Sequence, residues 1–160
     1  MNKIGKLRSE VWNNEGCLKE SVCKENRWFD ELDSKSIHWA VFHNNTIAAS
    51  ARLTCLNAND EIPHLDEFSP YDMKINDPYG FMSRLVVGNN YRQEGIAKKL
   101  DVLRINEARR LGLNKIIVLP THDRVKSLSK LNFIYFGKSG VDPEEMLDLS
   151  IQTYVMVLDL

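Results

Sequence analysis

Apolar residues recur at Ile4, Leu7 and Val11. This is the spacing of one helix face, so the chain is predicted to open on a short helix with a single buried stripe. The rest of residues 1–35 scatters Trp12, Trp28, Phe29 and Leu32 among charges, and Trp28, Phe29 and, further on, Trp39 read as core. Ile37–His43 and Thr46–Leu53 read as strands. Asn44-Asn45 between them suits the left-handed backbone of a tight hairpin turn. Residues 56–79 carry Asp60, Glu61, Asp66 and Glu67, three prolines and little periodicity, so a long surface loop with at most a helical turn is expected.

Phe81–Val87 is the next predicted strand. A long helix is expected from Arg92 to Leu111, with Ile96, Leu100, Leu103 and Leu111 on one stripe and Gly112 closing it. Lys115–Leu119 reads as a buried strand stopped by Pro120. A strand–helix–strand unit of this length implies parallel pairing with a right-handed crossover. His122–Leu131 reads as a helix, Phe133–Gly137 as a strand and Ile151–Leu158 as the closing strand, with Pro143-Glu144-Glu145 in the loop before it.

The 160 residues fit one domain, 1–160, by the usual span of roughly 100–200 residues. A hydrophobic share of 43% is enough for a core, and a net charge of −1 offers nucleic acid no basic field. Cys17, Cys23 and Cys55 are odd in number and lack metal-ligand spacing, so reduced thiols and no metal are expected. No apolar run approaches the ~20 residues of a membrane span and no signal-peptide core opens the chain, so no membrane partner and a cytoplasmic location are expected.

The chemistry concentrates in Gly80–Leu119, at the turn Arg92-Gln93-Glu94-Gly95-Ile96-Ala97. A strand running through a polar loop into a helix presents free amides and the positive end of a helix dipole, a place to hold a diphosphate. The three-glycine dinucleotide fingerprint and the Gly-Lys-Ser/Thr nucleotide loop are both absent. Gly95 lets backbone approach a ligand, the amides of Gln93–Ala97 lack helix acceptors, and Arg92 and Lys98 add positive charge.

This turn matches R/Q-x-x-G-x-G/A, and from about Ile37 to Gly137 the sequence resembles the GNAT N-acyltransferase superfamily. The matching runs are Ser83–Val87, Tyr91–Ala97, Leu111-Gly112 and Lys130-Leu131-Asn132-Phe133. The resemblance implies an α/β (α+β) fold. Its central sheet is mixed and mostly antiparallel, with a parallel strand–helix–strand core and helices on both faces. It implies an acyl-CoA co-substrate, acetyl-CoA in the leading reading, held by Leu85, Val86, Val87, Arg92, Gln93, Glu94, Gly95, Ile96, Ala97 and Lys98. The strand before the loop would splay after a bulge and pair with the pantetheine arm. An amide of Val86 or Val87 would then face the thioester oxygen. The acceptor would be an amine of a small molecule or peptide, and a homodimer is compatible with the resemblance.

The chain departs from the family at the acid and base. The glutamate base position is Phe81, the tyrosine acid position is Leu128, and the asparagine that often opens the following helix is Thr121 or His122. A thiol of pKa ~8.5 leaves without an acid. A lysine-like amine, about one part in 2,500 neutral at pH 7, is handicapped by about 4.6 kcal/mol, and an α-amine by only about 1 kcal/mol. Substitute bases are His122 and the loop residues Asp60, Glu61, His64, Asp66 and Glu67, each of which also reads as ordinary solvated surface. His122, Arg84 and Ser83 are the catalytic candidates. Arg52 and Arg84 interrupt apolar strands and demand partners: either a loop carboxylate or a substrate carboxylate. Ala51-Arg52-Leu53 and Ser83-Arg84-Leu85 are similar to runs of acyl-homoserine-lactone synthases, so a lactone or N-acyl-amino-acid synthase using a longer acyl donor is the alternative. A silent acyl-CoA-binding module is the third. Glu107 is expected to pair on the helix surface with Arg104 or Arg110.

Overall fold

The computed structural model describes residues 1–16, 23–57, 60, 63, 65–68, 70–71, 75, 78–140 and 152–160. Cys17, Glu61, His64, Ile151 and the Pro143-Glu144-Glu145 run lie outside them, as does the side chain of Asp66.

The chain opens on α1 (Asn2–Asn14), which buries Ile4, Leu7 and Val11 as the spacing predicts. A small hairpin follows, β1 (Cys23–Lys24) and β2 (Arg27–Trp28), turning at Glu25 and Asn26, both at positive φ. Then come β3 (Ser36–His43), β4 (Thr46–Leu56), the single turn α2 (Leu65–Phe68), β5 (Tyr79–Val87), α3 (Ile96–Arg110), β6 (Lys115–Val118), α4 (His122–Ser129), β7 (Ile134–Lys138) and β8 (Tyr154–Asp159). Asn44 and Asn45 take φ of 46° and 62°, the left-handed turn expected between β3 and β4.

Six strands form one sheet in the order β3-β4-β5-β6-β8-β7. Every neighbouring pair is antiparallel except β5 and β6, which run parallel with α3 between them. Ile105 and Ala108 of α3 and Leu128 of α4 pack with Leu53, Met82, Ile116 and Met156 on one side of the sheet. Leu56, Phe81, Ile117 and Val155 pack with Phe68 of α2 in a second cluster. Leu7 and Val11 of α1 rest on Val86.

Three expectations need correction. Phe29 is not core but 36% exposed, its ring set against Gly5 of α1, where the missing Cβ admits it. The long helix starts at Ile96 and not Arg92, because Gln93 and Gly95 adopt φ of 66° and 74° and keep the loop out of helix. Its buried face is also rotated. Leu103 and Leu111 are 49% and 41% exposed, while Leu100, Asp101, Arg104, Ile105 and Ala108 are buried. The buried Asp101–Arg104 pair occupies positions that a purely apolar stripe leaves out. Arg104 is therefore spent on Asp101, and Glu107 pairs with Arg110 alone of its two expected partners.

Candidate active site

β5 pairs with β6 only from Tyr79 to Met82, opposite Lys115 to Val118. Beyond Met82 the strand bulges against β4, where register shifts between Ser50 and Arg52 and Arg84 sits at φ 52°. A bulge adds twist and re-aims the strand. Val86 and Val87 pair with β4 on one edge, and Leu85–Val87 have left β6 on the other. The Arg104 guanidinium spans the distortion, its Nη1 donating to the carbonyls of Arg52 at 3.2 Å and Ser83 at 3.4 Å.

The loop after β5 leads to Gly95, which caps α3 with no side-chain bond to the first turn. The amides of Ile96, Ala97 and Lys98 have no acceptor within the helix. A Cβ on Gly95 would meet nothing within 4 Å, so the space over these amides is open. A cleft of 1140 Å³ runs along this surface. Leu85, Val86, Val87, Arg92, Gln93, Gly95, Ile96, Ala97 and Lys98 all line it, whereas Glu94 is exposed and does not. Arg92 crosses the cleft mouth to the carboxylate of Glu15 at the end of α1, and its Nε donates to the Val87 carbonyl at 3.3 Å. His122, at the first turn of α4, lines the same cleft with its ring 5.7 Å from that of Tyr154.

Behind the cleft, where β5 and β6 part, lies a cavity of 170 Å³. Trp12, Leu85, Thr121 and Arg124 line both spaces and so mark the passage between them. Met82, Val118 and Leu128 give the cavity an apolar wall on the helix side; Arg52, Ser83, Arg84 and Glu67 line it elsewhere. Phe81 and Leu128, the positions at which the sequence resemblance leads one to expect a base and an acid, both line it as hydrocarbon. Among the described loop carboxylates, Glu67 reaches the cavity: it is 3% exposed, and its Oε2 accepts from the Thr153 hydroxyl at 3.0 Å. Ser83 and Arg84 are together there, and His122 is not with them. The Ser83 hydroxyl accepts from Arg52 Nε at 2.9 Å.

Arg52 and Arg84 have internal partners in the N-terminal segment. Arg52 Nη1 lies 2.5 Å from Asp30 and 3.0 Å from Asp33; Arg84 Nη2 lies 2.5 Å from Asp30. Arg8, fully buried on α1, donates to Asp33 at 2.8 Å. The Arg84 guanidinium stacks 3.8 Å from the Trp28 ring centroid, and Trp12 meets Trp28 edge-on at 5.8 Å. Burial pushes the Asp30 carboxyl up, but the hydrogen bond from Arg52 and the charge of Arg84 outweigh it and hold the group well below the usual carboxylate range. Asp33 is lowered in the same way by Arg8. A second buried group joins Arg104 and Arg124 to Asp101. Burial lowers Arg104 to about 10 although Asp101 opposes it. Asp30 and Asp33 escaped the sequence reading. Their signal was the capping box they form before β3, Asp30 accepting from the Leu32 amide and Asp33 accepting from the Asp30 amide.

Among the described residues no helix is long and apolar enough to cross a membrane, and no group of three or more metal-ligating side chains gathers. No curated protein matches the chain significantly. Solved structures share its fold at low identity. A CoA-dependent acyl-homoserine lactone synthase, BjaI, solved with SAM and isopentyl-CoA, is 13% identical, with TM-score 0.76 over 99% of this chain and 74% of that one. FeeM, an N-acyl amino acid synthase from uncultured soil microbes, is 9% identical, with TM-score 0.71 over 98% and 82%. An acyl-CoA N-acyltransferase from Pseudomonas aeruginosa is 16% identical, with TM-score 0.62 over 97% and 87%. The model of the acetyltransferase (GNAT) family matches residues 4–133, most of the chain. With its splayed parallel strands and open helix N-terminus, the chain is an acyltransferase belonging to the acetyltransferase (GNAT) family.

Proposed function

We propose that this enzyme moves an acyl group from coenzyme A to an amine, and that the preferred acyl group is longer than acetyl. The observation that carries the reading is continuity. The free edge of Leu85–Val87, the uncapped first turn of α3 and the inner cavity form one path. The amides of Gly95–Lys98 suit the diphosphate, and the free edge of β5 suits the pantetheine amides. The thioester then lies where β5 and β6 part. The space beyond it, 170 Å³, compares with the roughly 150 Å³ that holds a benzene ring, so about six carbons fit where acetyl would leave most of it empty.

In this reading an amide of Val86 or Val87 donates to the carbonyl oxygen as negative charge develops there. The amine nitrogen bonds to the carbonyl carbon and the carbon–sulfur bond breaks. The thiolate leaves without an acid, its pKa near ~8.5 making it stable enough. Phe81 cannot accept the amine proton. Glu67, lining the same cavity, is the acceptor we assign, in preference to His122 in the outer cleft. Arg84 and Ser83 shape the pocket: one is held on Asp30 and the other receives Arg52.

A thiol-release screen tests this, pairing acetyl-, butyryl- and hexanoyl-CoA with a panel of amines. Release that is faster with the longer donors supports the reading. Binding of coenzyme A with no thiol released from any donor would contradict it and leave a silent binding module.

A further inference from the structure

Leu128, where an acid is absent, has a charged neighbour on its own helix face. Arg124 stands one turn earlier on α4, at the spacing that sets two side chains side by side, and both line the inner cavity. Arg124 also lines the outer cleft. It shares that double position with Trp12, Leu85 and Thr121, and it alone of these carries a charge. Its Nη2 donates to Asp101, and among the described residues its Nε and Nη1 have no hydrogen-bond partner. The side chain is 22% exposed and open to the passage, whereas Arg104 is 2% exposed and sealed in the core. Asp101 serves both guanidinium groups and can neutralise only one. Arg104 is spent on Asp101 and on the carbonyls of Leu100, Arg52 and Ser83. The uncompensated charge of this group therefore stands at Arg124.

We propose that Arg124 is a catalytic residue that stabilises the departing thiolate of coenzyme A. This deepens the acyltransferase reading and rests on it. With the carrier in the cleft and the acyl chain in the cavity, the sulfur that joins them falls at the passage, where Arg124 stands. The amine nitrogen bonds to the carbonyl carbon, the carbon–sulfur bond breaks, and its electron pair moves to sulfur. Arg124 meets that pair with an N–H donor and a fixed positive charge. It gives up no proton, because a guanidinium stays charged at any pH the protein survives. The amine proton goes to Glu67, and the thiolate departs as an anion. A charge placed where negative charge develops lowers the barrier without acid catalysis. The other charged groups around the passage have different engagements: Arg52 and Arg84 bind Asp30, Glu67 accepts from Thr153, and Asp123 accepts from Thr121.

The acidity of the bound thiol tests this without turnover. Free and protein-bound coenzyme A are titrated through the ultraviolet absorbance of the thiolate, with the desulfo-coenzyme A complex as the blank. In the parent protein the bound thiol is expected to ionise at least about one pH unit below the free thiol, a gain of about 10-fold in acidity. Arg124→Gln is expected to bring it back to within about 0.3 units of the free thiol, and Arg124→Lys, which keeps a cation, to retain about half the shift or more. Asp101 stays paired with Arg104 in both variants, so their melting transitions are expected to persist. An unshifted thiol in the parent overturns the proposal, as does a shift that survives Arg124→Gln or one lost equally in Arg124→Lys. If Arg124→Gln fails to fold, the parent and Arg124→Lys titrations decide. The two readings fail distinguishably. Thiol release from acyl donors, together with an unshifted thiol in bound coenzyme A, removes only the role of Arg124. No release from any donor removes the transferase, and this role with it, whatever the titration shows.

Discussion

Arg104 of α3 reaches through the core to the main-chain carbonyl of Ser83, 3.4 Å away, on the bulge that separates β5 from β6. It also holds the Arg52 carbonyl on the adjacent strand. Bulged strands leave ladder groups unpaired, and a buried carbonyl without a donor costs about 1–3 kcal/mol. Arg104 is thus the element that makes the splay affordable inside a core. Arg104→Met should lower unfolding stability by about 3 kcal/mol, read by urea denaturation. It should also raise KM for acyl-CoA, because the free edge of β5 loses its support. A variant as stable as the parent would remove this role.

Asp30 gives the account a pH signature. Its folded pKa is depressed, so the native state binds fewer protons than the unfolded chain, where the carboxyl titrates near ~3.9. Its stabilisation is therefore complete above about pH 5 and declines as pH falls below about 4. Asp30→Asn should cost about 3 kcal/mol at pH 7, with the gap to the parent closing as the solution is acidified through that range. Denaturation midpoints at pH 7, 5, 4 and 3 check the sign. A gap that widens on acidification would be inconsistent with the ion-pair network.

Glu15 pairs with Arg92, the cation that the proposed function assigns to a phosphate of coenzyme A. The pair is well exposed, at 45% and 38%, and such pairs are worth about 0.2–1 kcal/mol. Glu15→Gln should therefore tighten coenzyme A binding, by no more than about 5-fold. Equilibrium titration measures it, and weaker binding in the variant would show that Glu15 helps hold the ligand.

Much of this architecture was legible in the chain because local rules and tertiary packing agree there. The helix face of Ile4, Leu7 and Val11, the Asn44-Asn45 turn, and the parallel β5–β6 pair around α3 all follow from spacing and turn chemistry. The Gly95 turn was legible because its φ of 74° favours the residue type that stands there. The misplaced face of α3 has a plain cause. The buried stripe of α3 includes Asp101 and Arg104, and that of α1 includes Arg8. Periodicity counts a buried charge as polar and rotates the inferred face away from it. The need of Arg52 and Arg84 for partners was readable. Asp30 and Asp33 as those partners were not, since they approach across the fold from a short capped turn. The bulge at Arg84 was hidden as well, because an arginine at φ 52° carries no sequence signal.

The inner cavity sets acyl length in this account. Leu119 is half-buried on its wall, where a larger side chain can enter without disturbing the main core. Leu119→Trp should lower the ratio of kcat/KM for hexanoyl-CoA over acetyl-CoA by at least about 10-fold, the scale of a lost apolar contact of 1–3 kcal/mol. Steady-state thiol release supplies both constants. An unchanged ratio would place the acyl chain elsewhere.

The central claim is that the open first turn of α3 receives the diphosphate of coenzyme A, and Gly95→Asp addresses it most directly. A Cβ there meets nothing within 4 Å, and aspartate tolerates positive φ better than most residues, so the fold should persist with a cost of about 1 kcal/mol. The new carboxylate would stand where the diphosphate is expected. In calorimetric titration with coenzyme A, the parent protein should bind with measurable heat, and Gly95→Asp should bind at least about 100-fold more weakly while keeping its melting transition. Equal binding by the two proteins, or no heat from the parent at millimolar concentrations, would contradict the account.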